Sequence, residues 1–162
     1  MRLVIADTGP VNYLVLIEHI DLLPTLFRKV VLPSAVQREL ENRYAPSSVR
    51  DWIKNRPDWV EVSETPGRHV EDESLKGLDL GEQAAIALYV ATNADLLLMD
   101  DRKGMMVARS KGIAVIGTLG VLNLAARRGL IDLADSFARL KRTNFRYRQE
   151  ILDALVDELA RE

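Results

Sequence analysis

Short apolar runs that alternate with amphipathic helical stretches predict a three-layer α/β/α fold built on a five-stranded parallel sheet. Three observations carry that expectation. The runs RLVIA (2–6), KVVL (29–32), WVEV (59–62), LLLM (96–99) and IAVI (113–116) are each only a few residues long. Between them lie segments with apolar residues at helical spacing. And the first and fourth runs stop abruptly at carboxylates, Asp7 and Asp100-Asp101, where the reactive edge of a parallel sheet would lie.

The elements follow in order. RLVIA ends at Asp7-Thr8-Gly9-Pro10, strong turn punctuation, and Val11, Leu14, Val15 and Ile17 then suggest a short helix. A second helical piece near 22–27 leads to the second strand. Pro33 is expected in the first turn of the next helix, SAVQRELENRY, because that turn tolerates a missing N–H. Residues 47–56 form a helix through Val49, Trp52 and Ile53 before the third strand, and the polar stretch 63–77 reads as a long surface loop or frayed helix. Residues 80–93 are apolar nearly all round, so that helix should be largely buried. After the fourth strand comes a basic helix, 102–111, then the fifth strand and a helix from Thr118 to Arg128 ended by Gly129. Two amphipathic helices, 133–142 and 148–160, complete the chain.

The chain has 162 residues, 48% of them hydrophobic and 28% charged, which suits one domain with a real core and excludes a disordered or low-complexity protein. The expected organisation is one domain over 1–162, with 132–160 as a C-terminal helical extension. There is no cysteine, and two separated histidines, His19 and His69, offer neither a zinc site nor a histidine-based triad. Catalysis, if present, must therefore rest on carboxylates. No run reaches the length of a membrane span and the N-terminus has no secretory stretch, so a cytoplasmic chain without membrane attachment is expected. The net charge of −2 conceals an uneven distribution: residues 61–82 carry −5, 102–111 carry +4 and 127–148 carry +5.

Each acid has an ordinary structural role available. Asp7 would suit a turn, either Asp100 or Asp101 would cap the following helix, Glu82 would complete a capping box with Asp79, and Glu39 would pair with Arg43 one turn on. What distinguishes them is their joint placement. If the sheet reverses direction after the first strand, strands 1 and 4 become neighbours and Asp7 meets Asp100-Asp101 at one edge. The helix entering strand 4 begins at that same edge, which brings Glu82 there, and Glu39 less tightly. Clustered carboxylates repel one another unless a cation intervenes, and an all-oxygen ligand set suits Mg²⁺ or Mn²⁺. Such a centre is adapted to activating water against a phosphodiester.

The residues Asp7-Thr8-Gly9, Glu39, Leu80-Gly81-Glu82-Gln83-Ala84-Ala85-Ile86 and Leu97-Leu98-Met99-Asp100-Asp101 together resemble the PIN domain, from residue 1 to about 128, and the branch similar to the VapC toxins most closely. The resemblance implies a metal-dependent ribonuclease acting on single-stranded or structured RNA, often a toxin paired with an antitoxin and often a homodimer. It implies Asp7, Glu39, Glu82 and Asp100 or Asp101 as catalytic and metal-site acids. This chain has Glu82 where many relatives carry Asp. Aligning Met99 with the family's Thr favours Asp101, and direct exit from the strand favours Asp100, so both are carried forward. Thr8 would orient a ligand carboxylate, and Arg102, Lys103, Arg109 and Lys111 would hold flanking RNA phosphates. The alternative is a non-catalytic RNA-binding or interaction module on the same fold. An aspartic protease would need a second Asp-Thr-Gly in a β-rich chain, and a phosphatase of the Asp-x-Asp-Gly type would need aspartate at Gly9.

Overall fold

A computed structural model describes residues 2–67 and 72–162; His69 lies outside the described residues. Five parallel strands, β1 (Val4–Ala6), β2 (Val30–Pro33), β3 (Val60–Ser63), β4 (Leu96–Leu98) and β5 (Val115–Ile116), form one sheet in the order β3-β2-β1-β4-β5. The chain builds outward from β1 in one direction, then returns to its other side. β1 consequently pairs with both β2 (Val4 opposite Val30) and β4 (Ala6 opposite Leu98), and the expected reversal is present.

Side chains along a strand point alternately to the two faces, and here both faces are apolar. Val4, Ala6, Val30, Leu32, Leu96 and Leu98 face one core. That core is closed by α1 (Thr8–Leu16), α2 (Leu22–Phe27), α3 (Ser34–Glu41), α4 (Ser47–Lys54) and α7 (Thr118–Arg127). Ile5, Val31, Leu97 and Met99 face a second core closed by α5 (Leu80–Thr92) and α6 (Arg102–Ser110). Fully burying one such aliphatic side chain contributes about 1.5–3 kcal/mol, so both faces of the central strands hold the sheet between the helical layers.

Several local expectations need correction. Pro33 ends β2 in extended geometry (φ −59°, ψ 147°) and precedes α3 instead of lying in its first turn. A proline is tolerated there because it is the last strand residue, and its fixed φ suits extended backbone as well as helix. Helix α3 also stops at Glu41, three residues short of the expected end at Tyr44. Within the polar stretch 63–77 a 3-10 turn, Glu73–Leu75, buries Leu75 against the second core. Helix α5 buries Ala84, Ala85, Ile86 and Leu88 but leaves Leu80 and Val90 exposed, so its outer face is not covered.

The end of α7 follows expectation: Gly129, with φ +72°, takes the left-handed position after the helix. Helices α8 (Leu133–Lys141) and α9 (Gln149–Ala160) then pack back on α7. Leu152 of α9 is fully buried, Leu155, Val156 and Leu159 are partly covered, and Ile151 remains exposed.

Candidate metal centre

Parallel strands deliver their C-terminal ends to one edge, and helices that cross back begin there. Asp7 leaves β1 with its amide donating to the Leu98 carbonyl at 2.8 Å, so the two lead strands stay zipped up to the first acid. The Asp7 side chain is buried, and its Oδ1 accepts no hydrogen bond. Burial, opposed by the Thr8 amide and reinforced by the charges of Asp79, Glu39 and Asp100, pushes its carboxyl up to about 8. An acid left in that state holds a proton at neutral pH unless a cation replaces it.

Glu39 reaches the same edge from α3. Thr8 Oγ1 donates to Glu39 Oε2, and the Gly81 amide donates to Oε1 at 3.1 Å. That approach requires glycine at 81, because a Cβ there would lie 2.5 Å from Glu39 Oε1. Burial raises the pKa of Glu39, and the Thr8 hydroxyl partly offsets the rise.

Glu82 divides its two oxygens between separate tasks. Oε1 accepts from the Asp79 amide at 3.1 Å while Asp79 Oδ1 accepts from the Glu82 amide at 2.7 Å, which completes the expected capping box at the start of α5. Oε2 is buried and has no donor. Burial first, and then the facing carboxyls of Asp101 and Asp79, raise the pKa of Glu82 well above the usual carboxylate range.

The two consecutive aspartates point different ways. Asp100 is bound at both oxygens by Thr118, Oδ1 by its amide at 2.6 Å and Oδ2 by its hydroxyl at 2.7 Å. A Cβ on Gly117 would sit 2.6 Å from Asp100 Oδ1, so this approach too needs a glycine. Asp101 caps α6, accepting from the Gly104 amide at 2.7 Å, and lies beside Glu82: a Cβ on Gly104 would be 3.4 Å from both Asp101 Oδ2 and Glu82 Oε2. The edge therefore carries two adjoining sets, Asp7 with Glu39 and Asp100, and Glu82 with Asp101. Asp79 acts electrostatically on Asp7, Glu39 and Glu82 alike. As the side chains stand, no three acidic groups among the described residues converge on a single point.

Among the described residues none of these acids forms an ion pair with lysine or arginine. Their chemistry fits a hard divalent cation: oxygen donors only, two buried carboxylate oxygens with no proton donor, and raised pKa values that an ion would lower. Of the bases, Arg102 borders a groove that opens from Asp100 and Asp101. The Lys103 ammonium approaches Gly77, Lys111 pairs with Asp72 at 2.7 Å, and Arg109 is exposed in the last turn of α6, away from Asp101 at its start.

Two further residues, Asp79 and Thr118, bear on these acids without a functional signature of their own in the sequence. Asp79 was legible only as a cap. Thr118 opens α7 two residues after the end of β5, and the rule that the strand ends share one edge places its hydroxyl there.

Residues 3–161 match a protein-family model described as a PIN domain, so the likeness runs through α8 and into α9, beyond residue 128. No curated protein matches the chain.

Proposed function

The chain belongs to the PIN-domain family, whose fold is of the nuclease type, and on that premise we propose that it is a divalent-metal-dependent endoribonuclease cleaving single-stranded or structured RNA. The observation that supports this most is the pair of buried, donor-less oxygens, Asp7 Oδ1 and Glu82 Oε2, at an edge crowded with further carboxylates. A protein gains nothing by burying acids unpaired; a Mg²⁺ or Mn²⁺ ion would repay the cost.

The residues that would hold the ion are Asp7, Glu39, Glu82, Asp100 and Asp101. When bound, the ion supplies an activated water and a counter-charge for the attacked phosphate. The chain's own groups do the positioning. Thr8 and the Gly81 amide orient Glu39, Thr118 orients Asp100, and the capping box keeps Glu82 Oε2 turned inward. Arg102, beside Asp101, would hold a flanking phosphate.

The resemblance to the VapC toxins extends the reading to a cytoplasmic toxin with an antitoxin partner, acting as a homodimer. No helix among the described residues is long and apolar enough to cross a membrane.

Single-stranded and structured RNAs incubated with the purified chain in Mg²⁺ or Mn²⁺, with and without chelator, test the proposal. Cleavage should require the metal and vanish in Asp7→Asn. Cleavage that survives this substitution, or no cleavage by the wild type with either ion, overturns it.

A further inference from the structure

Three arginines and three aromatic rings gather beside the acids, and the chemistry of water attack does not call for them. A groove of about 900 Å³ opens from Asp100 and Asp101 and runs between the start of α6 and the link 144–148 that leads into α9. The link is pinned to α1: the Tyr13 hydroxyl donates to Asn144 Oδ1 at 2.9 Å, and Tyr13 meets Phe145 edge to face with centroids 5.0 Å apart. Tyr13 stands between the two kinds of charge. Its phenol pKa is raised by burial and by Asp100, and lowered by Arg146.

Delivering α9 to α7 accounts for Phe145, which packs on the core, but not for the residues around it. Tyr147 is 40% exposed with the Lys141 ammonium 5.9 Å from its ring centroid. Arg102, Arg146 and Arg148 are exposed, and among the described residues none of them forms an ion pair. The exposed Tyr147 ring, set between the unpaired guanidinium groups of Arg146 and Arg148, matches an unstacked base and its phosphates. A duplex keeps its bases stacked and could not reach the ring.

We propose that this groove seats the single-stranded RNA flanking the scissile phosphate, with a base against Tyr147 and the neighbouring phosphates held by Arg146, Arg148 and Arg102. The identity of the ligand rests on the nuclease reading. The groove itself stands on its own residues.

Binding is measured by fluorescence anisotropy of a short labelled oligouridylate, in Mg²⁺, with the full chain carrying Asp7→Asn. Adding Arg146→Ala and Arg148→Ala should weaken binding about tenfold or more and flatten the dependence of log affinity on log salt by roughly 1.4. Tyr147→Ala should weaken it about fivefold or more, and Tyr147→Phe should retain it. Duplex RNA should compete poorly. Circular dichroism melts matching the parent show that the exposed substitutions leave the fold intact, and 5-iodouridine in the probe should crosslink to Tyr147 or Phe145. Affinities unchanged in both variants, or crosslinks confined to other surfaces, overturn the groove and leave it to a protein segment or to none. The outcomes separate from those of the cleavage test. RNA bound through these residues by a wild type that cleaves nothing sinks the nuclease reading alone; cleavage with KM unchanged in the variants sinks the groove alone.

Discussion

Thr118 grips both oxygens of Asp100, its amide on Oδ1 at 2.6 Å and its hydroxyl on Oδ2 at 2.7 Å, although 18 residues separate the two in sequence. This clamp ties the end of β4 to the start of α7 across β5, and it fixes the orientation of the acid. Thr118 is fully buried, so little solvent stands ready to take the place of its hydroxyl. Thr118→Val keeps the shape and removes one donor from a buried carboxylate. The loss should be about 1–3 kcal/mol in urea unfolding under chelator, with weaker Mn²⁺ binding by calorimetry, whereas Thr118→Ser should recover most of both.

The close approach of Glu39 to Gly81 gives a coupled prediction. Gly81→Ala places a methyl against the carboxylate and should destabilise the chain by about 1–3 kcal/mol. In a Glu39→Ala background the same change should cost far less, because the clash has gone and alanine is the better helix former. A double-mutant cycle reads the difference, and equal penalties in the two backgrounds would refute the contact.

The metal-free protein should lose stability as pH rises. Asp7 ionises near 3.8 in the unfolded chain but holds its proton up to about 8 in the fold. Its favourable contribution is thus complete below pH ~4 and disappears progressively as pH climbs through ~8. Glu39, Glu82 and Asp100 shift in the same direction and should deepen the trend. Melting in chelator should fall from pH 5 to pH 8, by roughly 5 °C or more, and Asp7→Asn should flatten the profile. Millimolar Mn²⁺ should raise the wild-type melting temperature more at pH 8 than at pH 5, since ion and proton compete for the same oxygens.

Asp79 combines a capping role with a charge, and substitution can separate them. Asp79→Ala should cost about 1 kcal/mol through the lost cap and should release Glu82. Asp79→Ser keeps an acceptor for the Glu82 amide while removing the charge that bears on Asp7, Glu39 and Glu82. Stability near that of wild type with a lower Asp7 pKa, followed by carbon-detected NMR of the carboxyl, is the expected result for serine.

One adjacency was legible as a condition: carboxylates close the first and fourth apolar runs, and they meet if the sheet reverses after the first strand, as it does where β1 pairs with β4. The capping box of Asp79 and Glu82 was likewise readable, being written in four consecutive residues. Less accessible were contacts between residues far apart in the chain. Nothing local to Gly117-Thr118 announces that it receives Asp100, and nothing around Gly81 announces Glu39; each depends on which helix starts face one another across the edge. The basic segment 102–111 shows the limit of charge counting. Its helix turns Arg102 to the groove but sends Lys111 to Asp72. The arginines of the 144–148 link, by contrast, are brought beside Asp100 only because Tyr13 and Phe145 anchor that link.

Glu82 uses one oxygen to begin a helix and leaves the other buried and unpartnered beside Asp101, so the two are coupled. Fraying of the first turn of α5 would release the very side chain whose idle oxygen faces the cluster. On the proposed reading, a molecule frayed at this turn would lose its metal site before it unfolds. Amide exchange at Gly81 and Glu82 would then track the lifetime of the competent centre and not merely that of the helix.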